Sequence, residues 1–199
     1  MFPLFESIRV IEGKPLHLRD HQDRINRSCL EYYAQLPTWN IIGALEVLPA
    51  DDAILKCRLE YNLSEYHFKC TRYQKKKITR LFLREGHELN YDFKWTDRSG
   101  INKLMDGLTF HEDILIVRDG LFTDSSYSNL AFSNGETWHT PRIPLLAGTC
   151  RSRLLENETL VEADISVSDV GRYKSIRLFN AMIPWHESIE LPMSTVITA

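Results

Sequence analysis

Lys94 sits in Asp92-Phe93-Lys94-Trp95-Thr96-Asp97-Arg98, between two aromatic residues, and a second lysine follows in Gly100-Ile101-Asn102-Lys103-Leu104. A lysine amine attacks a carbonyl or takes a proton only when neutral, and its reference pKa is about 10.4. Partial burial beside Phe93 and Trp95 is expected to lower that value. Gly148-Thr149-Cys150 opens a predicted helix, where backbone N–H groups and the positive end of the dipole suit a phosphate. Arg24, three residues after His21 on a first predicted helix, offers bidentate, charge-assisted bonds to the same kind of group. Arg58 and Arg98 are candidates for a substrate carboxylate. Asp124 ends a predicted strand, and Asn180-Ala181 offers backbone amides near the C-terminus. Taken singly, each has an ordinary reading as a solvated lysine, a helix arginine or a strand-ending aspartate; the order of the features carries the signal.

These groups need elements to hold them. The β-branched and aromatic run at 4–11 predicts a strand, turned back at Glu12-Gly13-Lys14 toward Leu16 and Leu18. Asp20 is a fair N-cap for a helix to about Leu36, with Ile25, Cys29, Tyr32 and Leu36 at three- and four-residue steps. A second helix is predicted from Pro37-Thr38 to near Pro49-Ala50-Asp51. Strands at 53–61, 66–73 and 78–84 then complete a small α+β unit on a mainly antiparallel sheet. A short helix is expected through Leu104 and Leu108. Beyond it come a strand at 113–118, a hairpin at Asp119-Gly120, a return at 121–124, and a strand pair around Asn134-Gly135. A helix at 151–157 and strands near 162–165 and 175–180 close the second half.

Composition removes several classes of function. With 24 Lys+Arg against 27 Asp+Glu, the net charge of −3 is not that of a nucleic-acid binder, whose surface should be basic. Lys75-Lys76-Lys77 reads as a solvated strand edge. At 43% hydrophobic residues the chain can build a core. No apolar run is long enough for a membrane span, and the start lacks a basic leader, so a cytoplasmic location is expected. Cys29, Cys57, Cys70 and Cys150 contain no C-x-x-C pair, although Cys57 and Cys70 come close if their strands pair. His17 and His21 have no third ligand nearby, so no metal is expected.

The series Arg24, Lys94, Asp124, the helix start at Leu146-Ala147-Gly148-Thr149-Cys150-Arg151 and Asn180-Ala181, in this chain order, resembles the fold-type IV pyridoxal-phosphate enzymes, comprising branched-chain and D-amino-acid aminotransferases and aminodeoxychorismate lyases. The similarity runs from Phe5-Glu6-Ser7-Ile8-Arg9 to Asn180-Ala181-Met182. It is most specific where Asp124 precedes Asn129, and where Thr140-Pro141 leads to Leu146-Ala147-Gly148-Thr149-Cys150-Arg151. The resemblance implies an α+β, two-lobed fold with a small N-terminal α/β sandwich (1–95) and a C-terminal, pseudo-barrel-like β domain with helices (96–199). The cofactor is expected in the cleft between them.

For the site, the resemblance implies that Lys94 forms a Schiff base with pyridoxal 5'-phosphate and acts as general base. The family's spacing of roughly thirty residues between lysine and acid favours Lys94 over Lys103. Asp124, where the family usually has glutamate, would pair with the ring nitrogen. Arg24, Gly148, Thr149, Cys150, Asn180 and Ala181 would hold the phosphate, with Thr149-Cys150 replacing the commoner Ile-Thr. Ser99 stands where aminotransferases often carry tyrosine, and Lys94-Trp95-Thr96-Asp97-Arg98 is closer to the lyases' Lys-x-x-Asn-Arg. The implied activity is pyruvate elimination giving 4-aminobenzoate. The alternatives are amino transfer from branched-chain or D-amino acids and a non-catalytic cofactor-binding homologue. A small amino substrate with a carboxylate, and a homodimer, complete the expectation.

Overall fold

The computed structural model describes residues 1–45 and 51–197. The chain divides into one unit formed by 1–74 and 93–97 and another formed by 75–92 and 98–199.

In the first unit, β1 (Leu4–Ile11) turns through Glu12 and Gly13, both at positive φ, into β2 (Lys14–Pro15). Two successive left-handed residues match the twist of a two-residue hairpin. Helix α1 (Leu18–Tyr33) follows. Its N-cap is His17 rather than Asp20, and Asp20 lies inside the first turn, where its charge meets the helix dipole. The helix ends at Ala34, which takes a left-handed conformation, so Leu36 lies beyond it. Ile25 and Cys29 are fully buried, whereas Tyr32 and Leu36 are exposed; the predicted apolar stripe holds only for its first half.

Helix α2 (Ile41–Ala44) is shorter than predicted, and its expected end near Pro49-Ala50 lies outside the described residues. Asn40 caps it by accepting from Gly43 N. Strands β3 (Leu55–Tyr61) and β4 (Tyr66–Arg72) form a hairpin, with Asn62 Oδ1 accepting from Ser64 N and Glu65 N in the turn. The antiparallel sheet has the order β2-β1-β3-β4. One face supplies Leu4, Ile8 and Val10 with Leu55, Cys57, Leu59 and Tyr61 to a core closed by Ile25 and Cys29 of α1.

The second unit begins with β5 (Arg80–Glu85), the third strand predicted for the first sheet. It pairs instead in parallel with β6 (Glu112–Arg118), Leu81 opposite Asp113. The run from Asp113 to Val117 is buried on both faces, so β6 needs partners on two sides. Between these strands lies α3 (Ser99–Leu104). The hairpin at Asp119-Gly120, both residues at positive φ, leads into β7 (Leu121–Ser125). β8 (Asn129–Ser133), β9 (Trp138–Pro141), α4 (Thr149–Glu156), β10 (Val161–Ala163), β11 (Ser175–Phe179), β12 (Ile189–Pro192) and β13 (Val196–Ile197) follow.

Among the described residues the second sheet has nine strands, ordered β10-β9-β8-β7-β6-β5-β13, with β11 joining both β8 and β12. Leu81, Leu115, Val117, Phe122, Leu130, Phe132, Ile176 and Leu178 form its main core. The architecture is mixed α and β with sheet dominant, as expected. No helix among the described residues is long and apolar enough to cross a membrane.

Candidate active site

The expected site residues fall into two groups, one in each unit. In the first unit, residues 93–97 run beside the start of β1: Leu4 bridges Trp95, and Phe5 N donates to the Lys94 carbonyl at 3.0 Å. A tight turn at Lys94, in which Trp95 N donates to the Phe93 carbonyl at 2.9 Å, separates the lysine from its two aromatic neighbours. Phe93 and Trp95 pack against Tyr32, with centroids at 5.8 and 5.1 Å. Lys94 Nζ lies 4.8 Å from the centre of the Phe5 ring. The aromatic partner of the half-buried lysine is therefore Phe5, and not the sequence neighbours Phe93 and Trp95.

The Phe5 ring also carries the Arg58 guanidinium, 3.7 Å from its centre. Arg9, Lys56, Arg58 and Lys69 share this face of the sheet, because Arg9 pairs with Lys56 and Arg58 with Lys69 in register. Glu60 accepts from Arg58 Nε at 2.7 Å. Four cations and the Glu60 carboxylate thus lie on this face.

Arg24 belongs to the opposite face of β1. Its Nε donates to Glu6 Oε1 at 2.8 Å and its Nη2 to Glu6 Oε2. His21 Nδ1 reaches the same carboxylate at 2.7 Å. Burial pushes the Glu6 carboxyl up, but the Arg24 charge and the bonds from His21 and Arg24 outweigh it and hold the group at about 2. An ionised carboxylate only accepts, so His21 Nδ1 carries the proton in this bond. Glu6 was not among the expected site residues. Its signal was a single carboxylate in the apolar period-two series Leu4, Glu6, Ile8, Val10.

In the second unit, Asp124, the last residue but one of β7, lies directly opposite Asn129, the first residue of β8. Asn129 Nδ2 donates to Asp124 Oδ1 at 2.8 Å and to the Leu146 carbonyl at 2.9 Å, while Leu146 N donates to Asp124 Oδ2 at 2.8 Å. The buried carboxylate is thus held from both sides. Gly148 is the extended N-cap of α4 and offers no side-chain cap. A Cβ placed there would lie 1.9 Å from Asn129 Oδ1. Asn129 therefore fixes the acid and also requires glycine at the helix start.

Thr149 and Cys150 form the first turn of α4, both buried, and Thr149 Oγ1 has no hydrogen-bond partner. A buried hydroxyl without a partner costs about 1–3 kcal/mol, so its natural complement is an acceptor-rich group at this helix start. The helix is pinned from behind by Arg151, whose Nη2 donates to the Pro141 carbonyl at 2.7 Å and to Glu162 Oε1 at 2.8 Å.

Asn180 closes a tight turn containing Ala181: its Oδ1 accepts from Met182 N and Ile183 N, and its Nδ2 donates to Ser128 Oγ at 3.1 Å. Arg98 Nη2 donates to the Ser126 carbonyl, and its Nε is buried without a partner. Part of that side chain thus fastens the turn after Asp124. Lys103 is exposed on α3.

A comparison of sequences matches residues 64–187 to the family described as amino-transferase class IV. An uncharacterized protein of Haemophilus influenzae is 34% identical over 186 residues, covering 92% of this chain and 98% of its own. The crystal structure of a candidate 4-amino-4-deoxychorismate lyase from Haemophilus somnus superposes with a TM-score of 0.81 at 32% identity, covering 92% of this chain and 98% of that one. The 4-amino-4-deoxychorismate lyase of Pseudomonas aeruginosa, at 18% identity and a TM-score of 0.70, shares the fold over 98% of this chain and 82% of its own. The match over residues 64–187 and the 34% identical relative show that the chain belongs to the class IV amino-transferase family.

Proposed function

We propose that the protein is a pyridoxal-phosphate enzyme of the aminodeoxychorismate-lyase type, releasing pyruvate from an amino substrate to leave 4-aminobenzoate. The observation that carries this reading is Asn129, which ties the Asp124 carboxylate to the α4 start. Thr149 Oγ1, buried and without a partner, fits a phosphate there. Bound pyridoxal phosphate supplies an electron sink conjugated to the substrate amine.

The chain's own groups then have distinct tasks. Asp124, held by Asn129 and Leu146 N, keeps a negative charge for the ring nitrogen. Gly148, Thr149 and Cys150 receive the phosphate through backbone N–H groups and the Thr149 hydroxyl. Arg24, whose Nε and Nη2 are engaged by Glu6, joins this set on the family resemblance alone, as does the turn at Asn180-Ala181. Lys94 would hold the cofactor through its amine, and the same amine would take the proton from the carbon bearing the substrate amine. Arg58, on the cationic face, and Arg98, through Nε, orient substrate carboxylates. The Lys-x-x-Asp-Arg sequence and the similarity to the Haemophilus somnus protein favour the lyase reading over amino transfer. We assign the working form to a cytoplasmic homodimer, on the family resemblance alone.

Absorption spectroscopy with added pyridoxal phosphate tests the assignment. The wild type and Lys103→Ala should acquire a lysine-dependent band in the visible to near-ultraviolet, and Lys94→Ala should not. A band retained in Lys94→Ala would remove Lys94 from its role. Pyruvate and 4-aminobenzoate release should exceed amine transfer to keto acids; the reverse order would make the protein an aminotransferase. A bound cofactor with neither activity would make it a non-catalytic binder.

A further inference from the structure

On the core-facing side of the first sheet, Cys57 of β3 stands directly opposite Cys70 of β4. Both thiols are free, and both residues pack into the same core. Opposed residues of antiparallel strands have Cα separations of about 4.5 or 5.5 Å, depending on the kind of pair. Both values lie within the roughly 4.4–6.8 Å that a disulfide spans. Linking them therefore calls for a local adjustment and no rearrangement of strands.

The two sulfurs differ in access. Cys57 is fully buried, whereas Cys70 is half-buried on β4, the edge strand of its sheet. Burial pushes the Cys57 thiol up, and the neighbouring Cys70 adds to the shift. Cys70 is thus the sulfur that an oxidant meets, and its oxidation removes part of what holds the proton on Cys57. Cys29 belongs to the same core but projects from α1, not from an opposed strand. Cys150 is in the other unit.

We propose that Cys57 and Cys70 form an oxidant-reactive dithiol, which a hydroperoxide converts into a cross-strand disulfide. The Cys70 thiolate attacks a peroxide oxygen, the O–O bond breaks, and Cys70 becomes a sulfenic acid as the other oxygen leaves as water or alcohol. Cys57 sulfur then attacks Cys70 sulfur, the S–S bond forms, the S–O bond breaks, and the departing hydroxide leaves as water with the Cys57 proton. Two thiols are oxidised by two electrons in all, and one peroxide is reduced by two. An external dithiol reverses the change. Because Lys56 and Arg58 flank Cys57 on β3, the cross-link pins the backbone from which these cations project.

The test is brief treatment of the whole protein with hydrogen peroxide, alkylation of the remaining thiols, and a non-reducing peptide map. Two of the four thiols should be lost in a single Cys57–Cys70 linked peptide, and dithiothreitol should restore both. In Cys57→Ser, Cys70 should stop at a sulfenic acid that dimedone captures; in Cys70→Ser, Cys57 should stay fully alkylatable. The wild-type map decides the matter even if a serine variant fails to fold. A Cys29–Cys57 link, or Cys70 driven to sulfinic acid while Cys57 remains alkylatable, would overturn the proposal. So would survival of all four thiols under conditions that oxidise glutathione.

Discussion

Glu6 and Arg24 meet fork to fork inside the first unit, Oε1 accepting from Nε and Oε2 from Nη2, with the glutamate fully buried and the arginine nearly so. Such a pair adds little net stability, but removing one partner strands the other and costs about 3–5 kcal/mol. Glu6→Gln and Arg24→Met should each lower unfolding free energy by roughly that amount. The double variant Glu6→Gln/Arg24→Met should lose less than the sum of the two single losses. Urea unfolding gives the cycle, and additive losses would mean that the two residues act independently.

The same carboxylate sets an acid limit on the fold. Its pKa is about 2 in the folded chain against an ordinary 4.5. A lowered folded pKa stabilises above the ordinary value, and that contribution shrinks as pH falls from about 4.5 toward 2. The shift corresponds to roughly 3 kcal/mol. Urea midpoints measured between pH 5 and pH 2 should fall more steeply for the wild type than for Glu6→Gln. Parallel curves would place the acid sensitivity elsewhere.

Thr149 separates the needs of the fold from those of a ligand. Replacing its buried, unpartnered hydroxyl by a methyl in Thr149→Val should raise stability without cofactor by about 1 kcal/mol. The same variant should bind pyridoxal phosphate more weakly. Thermal unfolding with and without cofactor reads both effects, and a loss of stability in the cofactor-free protein would show that the hydroxyl already serves the fold.

Gly148→Ala tests the link between the helix start and the acid. The backbone at 148 is ordinary extended chain, so the effect is steric alone. The added methyl must displace Asn129, whose amide holds Asp124. Overpacking of this kind costs about 1–3 kcal/mol. A raised cofactor dissociation constant should accompany the loss of stability; wild-type values for both would mean that Asn129 moves at no cost.

The sequence made the second half most legible. Asp119-Gly120, the buried run after it and the Asn134-Gly135 turn are local signals, and the strands near them fall within a few residues of their predicted bounds. The end of α1 was less readable because Ala34, a good helix former, takes the left-handed conformation that terminates it. The partner of β5 could not be read from its composition, since a parallel neighbour is set by contacts far along the chain. For the proposed site, Lys94 and Asp124 were singled out by the spacing that the family resemblance implies. The Phe5 ring and the Glu6 carboxylate were not, because β1 meets Lys94 and α1 only through tertiary pairing. Cys57 and Cys70 were foreseen as neighbours if their strands paired, and the register makes them so.

Residues 93–97 return to the first unit after β5 has already entered the second. The backbone therefore passes from one unit to the other three times, and neither unit is a single length of polypeptide. A protein cut after residue 74 would lose Lys94 from the half that seats it, and one cut after 97 would carry β5 away from β6. During synthesis, the first unit cannot be completed until the ribosome has passed Asp97. The lysine expected to bear the cofactor is thus among the last residues to reach its own unit, and this chain offers no seam at which its halves could be exchanged or expressed apart.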